Sequence, residues 1–336
     1  MAEDKRYLVT LGMFIIDEFT YFNEDGTPTG KASSSQIGGG GTYASIGARI
    51  WLPPDQVGMI VDRGHDFPPE IQSQLDSYGE SMWLYRDDRS RGTTRAENVY
   101  RGEVRGFRYL NPRLRITPND LSGTSFEKPT CLHFICSPSR ASAILSEVRP
   151  VEGWNPVTIY EPIPDRCIPE ELPALIAVLP EISILSPNAD EALSLLSIPG
   201  TPTCALIEQA CQRLLDLGVG PDGSGTVIIR SGHLGAYVKS RTKEGWWVPA
   251  YWGEENKAKV VDVTGAGNAF LGGLAAGLYF KKEDVFEAVL YATISAAYTI
   301  EQEGLPNLSR TSNGEEYWNG EDPKERLKQL RSRMNI

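Results

Sequence analysis

The chain has 336 residues, 40% of them apolar, and a formal net charge of -11. That length allows one large or two modest domains with a sizeable core, and the acidic balance argues against nucleic acid or an anionic membrane as the main partner. Cys131, Cys136, Cys167, Cys204 and Cys211 are odd in number and contain no Cys-x-x-Cys pair, so neither a disulfide framework nor a zinc cage is expected.

Met1 to Arg6 carries charges of both signs and runs straight into a strand, unlike a signal peptide. Tyr7 to Ile16 reads as one apolar strand containing Gly12, with Asp17 and Glu18 at its end. Phe19 to Ser35 is polar and rich in turn residues, an exposed excursion. Gly38-Gly39-Gly40-Gly41 leads into a helix over Thr42 to Ile50, followed by a strand over Gln56 to Val61 and a helix over Pro68 to Ser77. Met82 to Tyr85 is a short strand. Ala96 to Tyr109 reads as a hairpin about Arg101-Gly102. Segments 18–35 and 92–110 are together expected to form a small β flap outside the main sheet.

From Cys131 strands and helices alternate. Strands are expected over Cys131 to Cys136, Val157 to Tyr160, Ile182 to Leu185, Thr226 to Arg230, Ala236 to Lys239 and Trp246 to Tyr251. Helices are expected over Ser139 to Val148, Leu172 to Leu179, Ala189 to Leu196 and Ala205 to Leu217. Val260-Val261 reads as the end of a strand, Thr264 to Gly267 as a tight turn, and Ala266 to Tyr279 as a helix. Another helix follows over Val285 to Thr299. The tail from Asn307 is polar, with a short helix opening at Asp322-Pro323-Lys324-Glu325. The expectation is an α/β domain over residues 1–306 and a C-terminal extension over 307–336. Its central sheet is mostly parallel, with helices on both faces. No apolar run approaches the about 20 residues of a membrane span. The five cysteines read as reduced cytosolic thiols, so a cytoplasmic protein is expected.

Ligands in such sheets sit at the carboxyl ends of strands. Asp17, Glu161, Asn188 and the Gly265–Asn268 turn fall at such ends. A helix that starts on bare amides offers an anion site, through its unpaired N–H groups and its dipole. Asn188-Ala189-Asp190-Glu191 is either a helix cap or a carboxylate holding a hydrated Mg²⁺. Arg230-Ser231-Gly232-His233-Leu234-Gly235 closes a hairpin, and Ser231, the Gly232 amide and Arg230 can reach phosphate oxygens. The run Gly38 to Gly41 suggests close backbone approach by a ligand, because each glycine costs ordering entropy. Neither glycine cluster completes a dinucleotide fingerprint, and Gly30-Lys31-Ala32 is no P-loop. His65, His133 and His233 lie too far apart in sequence to suggest a histidine metal site.

These pieces, in this order, resemble the ribokinase/PfkB family of small-molecule kinases over roughly residues 6 to 306. They are Gly12 with Asp17, Gly38 to Gly41 with Ala48-Arg49, the flap, Asn188 to Glu191, Ser231 to Gly235, and Asp262-Val263-Thr264-Gly265-Ala266-Gly267-Asn268. Gly-Gly-Gly-Gly-Thr-Tyr-Ala and the Gly-Asn ending look most like the fungal branch named for maintenance of killer toxin. The resemblance implies a ribokinase-like three-layer sandwich with a β lid. It implies transfer of the ATP γ-phosphate to a hydroxymethyl group of a sugar, polyol or nucleoside. Gly265, Ala266 and Gly267 would form the anion hole. Asp17, Gly39, Gly40, Thr42 and Glu161 would bind the substrate. Asn188, Ser231, Gly232, Gly235 and Thr264 would contact the nucleotide, with Ala292 and Ser295 lining the adenine pocket. Glu191 would position Mg²⁺, and K⁺ would sit beside Asp262. Flaps of this kind either close over substrate or pair two subunits, which leaves a homodimer open. The sequence departs from the pattern at its centre: Asn268 stands where the family places an aspartate base. Glu161 likewise stands in place of a shorter acid. The alternative reading is a pseudokinase, a nucleotide- or metabolite-binding regulatory module.

Overall fold

The structure is a computed structural model, and it describes residues 5–31, 34–101, 104–282 and 284–336. In chain order its strands are β1 (Leu8–Thr10), β2 (Ile15–Phe22), β3 (Ser34–Gly38), β4 (Val57–Arg63), β5 (Trp83–Asp87), β6 (Arg95–Arg101), β7 (Val104–Tyr109), β8 (Cys131–Cys136), β9 (Val157–Pro162), β10 (Ile184–Leu185), β11 (Thr226–Arg230), β12 (Ala236–Ser240), β13 (Trp246–Val248), β14 (Leu308–Arg310) and β15 (Glu316–Trp318). Its helices are α1 (Gly40–Arg49), α2 (Pro69–Tyr78), α3 (Pro138–Val148), α4 (Leu172–Val178), α5 (Ala189–Leu195), α6 (Cys204–Asp216), α7 (Ala266–Phe280), α8 (Val285–Thr299) and α9 (Pro323–Arg333).

A nine-stranded sheet runs in the order β13-β12-β11-β10-β9-β8-β1-β4-β5. Every pairing from β11 to β5 is parallel, while β12 and β13 add an antiparallel edge. Successive side chains of a strand point to opposite faces, so a parallel sheet covered on both sides buries both sets. Leu8 and Ile228 accordingly enter one core, and Val9, Val227 and Ile229 the other. Helices α1, α2, α7, α8 and α9 cover the first face, and α3 to α6 the second. This is the three-layer α/β arrangement expected from the alternation.

The flap is a separate four-stranded sheet in the order β3-β2-β6-β7. Its hairpin pairs Arg101 with Val104, and the turn between them, at 102–103, lies outside the described residues. The flap reaches further than the sequence suggested. Tyr7 to Ile16 is not one strand: the chain leaves the main sheet after Thr10 and enters the flap at Ile15. Gly12 sits in that bend, where the backbone of Gly41 packs on its bare Cα.

One other region differs from expectation, and the tail adds a contact that its pattern did not show. Among the described residues Val260-Val261 pairs with no strand. It is a loop fastened by the Val261 N–H to the Ile300 carbonyl (2.7 Å), and the Val261 and Val263 side chains are 59% and 68% exposed. The apolar β-branched run had mimicked a buried strand. The polar tail carries the helix expected from Asp322, and it also packs on the domain. Trp318 is 1% exposed and stacks on Tyr78 with ring centroids 5.8 Å apart. Arg326 is buried, pairs with Glu301 and Glu321, and lies 3.8 Å from the Tyr298 ring centre. Residues 307–336 therefore fold onto the first core. Among the described residues no helix is long and apolar enough to cross a membrane.

Candidate active site

The carboxyl ends of β8 to β11 meet the first turn of α7 in one charged cluster. Glu161, on β9, is its centre. Its Oε1 lies 2.9 Å from Arg230 Nη2, and its Oε2 accepts a hydrogen bond from Asn268 Nδ2 at 2.8 Å. His133 Nε2 stands 3.7 Å from Oε2, and the other ring nitrogen is held by Thr10 Oγ1 at 3.0 Å. Arg230, at the end of β11, also donates to the Ser186 carbonyl at 3.0 Å and lies 3.8 Å from Glu191 Oε2. A parallel bridge between Asn188 and Arg230 sets these residues side by side. Asn188 and Glu191 form a reciprocal cap at the start of α5: Asn188 Oδ1 accepts the Glu191 N–H at 2.8 Å, and Glu191 Oε2 accepts the Asn188 N–H at 2.7 Å.

The two buried acids respond differently to this setting. Burial works against the charge of Glu161, but Arg230, His133 and the Asn268 amide outweigh it and hold the carboxyl below the usual glutamate value. Burial dominates at Glu191 and pushes its pKa up to about 7. The difference is geometric, since the shared guanidinium lies closer to Glu161 than to Glu191.

The turn into α7 is built for small residues. Gly265 is its N-cap, at φ 77°, and a Cβ there would run into the Tyr43 ring. A Cβ on Gly267 would stand 1.9 Å from Arg230 Nη1. The Ala266 N–H donates to the Val263 carbonyl at 3.2 Å. Among the described residues, the Gly267 and Asn268 N–H groups donate to no protein group, as expected of a helix start. Those two amides, with the positive end of the helix dipole behind them, leave two donors open to an anion.

One side of this turn opens into a cavity of about 610 Å³. Asn188, Ser231, Gly232, Gly235, Ala266 and Gly267 line its polar end, and Trp252, Phe270, Thr293 and Ala297 its apolar part. The other side faces the glycine run and the flap. Asp17 is buried against Gly38 and accepts from Asn98 Nδ2 at 3.2 Å. A Cβ on Gly40 would stand 3.1 Å from Asn268 Nδ2. The rest of the glycine run serves the protein itself. Gly39 packs on the Met13 carbonyl and Gly41 on Gly12.

Residues 158–311 match the pfkB family of carbohydrate kinases. The chain is 33% identical to protein MAK32 of Saccharomyces cerevisiae, over 93% of this chain and 90% of that one. It is also 33% identical to an uncharacterized protein of Schizosaccharomyces pombe, over 96% of this chain and 91% of that one. Arabidopsis thaliana ribokinase, solved with ribose and ATP, superposes with a TM-score of 0.67 at 18% identity, over 97% of this chain and 98% of that one. The chain belongs to the pfkB carbohydrate kinase family. Within the family it lies near the MAK32 branch, and its sandwich and flap are ribokinase-like.

Set against the family pattern, most of the expected site residues do converge: Asp17, Gly40, Glu161, Asn188, Glu191, Ser231, Gly232, Gly235, Gly265, Ala266, Gly267 and Asn268. Six others are engaged by the protein itself, Gly39 against Met13 among them. Ala292 and Ser295 lie on the packed side of α8, against Gly273, and Ser295 Oγ donates to the Gly47 carbonyl at 2.8 Å. The cavity side of α8 is one residue on, at Thr293, Ala296, Ala297 and Ile300. Helix α8 is apolar almost all round, so its sequence carries no signal for which face is open. Thr42 is fully buried, with Oγ1 donating to the Gly38 carbonyl at 2.9 Å. The Thr264 N–H is held by Asp262 Oδ1 at 2.9 Å, a local turn that occupies both residues. Arg230 and His133 are the members of the cluster that sequence reasoning undervalued.

A hydrated Mg²⁺ needs only one or two protein carboxylates. Glu191 fits that role: burial outweighs Arg230 at 3.8 Å and raises its pKa to about 7, so a cation beside it would favour the ionised carboxylate. The described residues hold no group of three or more His, Cys, Asp or Glu that would cage a metal unaided.

Proposed function

We propose that the chain is an ATP-dependent kinase that transfers the γ-phosphate to a hydroxymethyl group of a sugar or nucleoside. One observation carries this reading. The open amides of Gly267 and Asn268 lie between a large, largely apolar cavity and the polar wall formed by Asp17 and the glycine run. The cavity accommodates a nucleoside, with its phosphates at Ser231, Gly232 and the start of α7. The wall takes the acceptor, whose hydroxyls Asp17 binds. Glu191 would hold Mg²⁺, which supplies charge neutralisation of the phosphates when bound. Phosphoryl transfer asks mainly for positioning and charge stabilisation, and a backbone-built cradle provides both. Arabidopsis ribokinase, which shares the fold, was solved with ribose and ATP, the two kinds of ligand this reading assigns. The test is Mg²⁺-dependent ADP release across a panel of D-ribose, D-fructose, adenosine and inosine. Tight ATP binding with no turnover on any member would sink the reading.

Asn268 favours a second reading, a pseudokinase that binds a nucleotide or metabolite without transferring phosphate. An amide has no basic lone pair near neutral pH, so Asn268 cannot take a proton from an acceptor hydroxyl. This reading expects ATP to raise the melting temperature while no acceptor yields ADP.

A further inference from the structure

An alcohol that attacks a phosphoryl group must give up its proton. Asn268, the side chain at the start of α7, cannot receive it. The groups around it offer three candidates. His133 is fully buried behind Glu161, with one ring nitrogen bonded to Thr10. Glu191 caps α5 and lies beyond Arg230. Glu161 is in direct contact: its Oε2 takes the Asn268 amide hydrogen at 2.8 Å, and Asn268 itself stands against Gly40 of the glycine run. Asn268 thus bridges Glu161 and Gly40 of the run along which the kinase reading places the acceptor alcohol.

We propose that Glu161 is the catalytic proton acceptor of this site and that Asn268 is the positioning residue that aims its carboxylate. This rests on the kinase reading above. In the step, the acceptor oxygen forms a bond to the γ-phosphorus. The bond from that phosphorus to the bridging oxygen breaks, and its electron pair leaves with ADP. The hydroxyl proton passes to a Glu161 oxygen, directly or through one water, and then to solvent. The groups that face Glu161 are Arg230 from β11, His133 from β8, Asn268 from α7 and Cys167 from the segment after β9, with Glu191 of α5 across the guanidinium. Arg230, His133 and the Asn268 amide keep the carboxylate ionised and ready to accept. In a loose transition state the proton moves late, so a weakly basic carboxylate suffices. Arg230 also lies against Gly267, so one guanidinium serves both the acid and the anion cradle.

The experiment compares wild type, Glu161→Gln, Asn268→Ala and the exchange variant Glu161→Gln/Asn268→Asp. It measures ADP release with Mg²⁺-ATP and the acceptor panel above, and ATP binding as a melting-temperature shift. Glu161→Gln is expected to lose about 10²–10⁴ in kcat while keeping its ATP-induced shift. The exchange variant, which carries its one acid on the other side of the contact, is expected to recover at least about tenfold over Glu161→Gln. Asn268→Ala is expected to lower kcat with the KM for ATP unchanged. A Glu161→Gln protein as active as wild type overturns the proposal. So does an exchange variant no better than Glu161→Gln, or a Glu161→Gln protein whose rate falls only in step with lost ATP binding. A wild type that binds ATP but turns over no acceptor sinks the kinase reading itself, and Glu161 as its base with it.

Discussion

Replacing Arg230 by methionine tests the electrostatic centre of the site. Methionine keeps the length of the side chain and removes the charge. Arg230 lies 2.9 Å from Glu161 and 3.8 Å from Glu191, and both acids are buried, at 7% and 6% exposure. Removing one partner of a buried ion pair leaves an uncompensated charge and typically costs about 3–5 kcal/mol. The sign of the pH dependence follows. In the wild type Glu161 has a depressed pKa, so its pairing contributes stability above the unfolded value of 4.5 and loses it as pH falls through the folded value. In Arg230→Met the chief attraction is gone and burial raises the pKa instead. The variant then favours the protonated acid and loses stability as pH rises. The gap between the two proteins is therefore widest near pH 8 and narrower at pH 5. Urea unfolding at both pH values gives the gap from the midpoints and slopes. A deficit under about 1 kcal/mol at pH 8, or an equal deficit at both values, would refute the assignment of Arg230 as the shared counter-charge.

Gly265→Ala forces a side chain onto a residue at φ 77° and into the Tyr43 ring. It should cost about 1–3 kcal/mol and weaken ATP binding, as read by thermal melting with and without ATP. Glu191, with its pKa raised to about 7, stabilises the fold fully only below pH 4.5 and loses that contribution as pH rises through 7. The loss is about 3 kcal/mol, so Glu191→Gln should flatten the stability profile over that range, and saturating Mg²⁺ should offset the loss in wild type. Trp318→Ala should cost about 3–5 kcal/mol by calorimetry, since the ring is 1% exposed and stacked on Tyr78; a tail that merely trails the domain would tolerate it.

Local pattern made much of this molecule legible. The strand–helix alternation from Cys131 onward, the capped start of α5 at Asn188 and the hairpin between β6 and β7 follow from periodicity and end signals that act over a few residues. What escaped was decided by packing. Val260-Val261 has strand propensity, but its backbone bonds the end of α8 and no strand edge takes it up. Trp318 sits in a polar tail whose pattern gives no hint of the Tyr78 face that buries it. The open face of α8 was misjudged by one residue, because a helix apolar on every side does not record which side meets the cavity. Arg230 was legible as a charge near phosphate. Its pairing with one acid on β9 and another on α5 depends on topology that no short window contains.

The contact between Glu161 and Asn268 explains why an amide and an acid occupy these positions together. With aspartate at 268, two carboxylates would face each other across a 2.8 Å contact. Like charges at that distance cannot both ionise, and one pKa rises steeply. Asn268→Asp alone is therefore expected to be less stable than wild type at pH 8, to recover toward pH 5 as the pair takes up a shared proton, and to bind about one proton more near neutrality. Potentiometric titration of the two folded proteins measures that proton, and urea unfolding the stability. Adding Glu161→Gln to Asn268→Asp should erase both effects by restoring one acid and one amide. If Asn268→Asp matches wild type in stability at pH 8, the two side chains do not constrain each other, and the acid at Glu161 is independent of the amide that faces it.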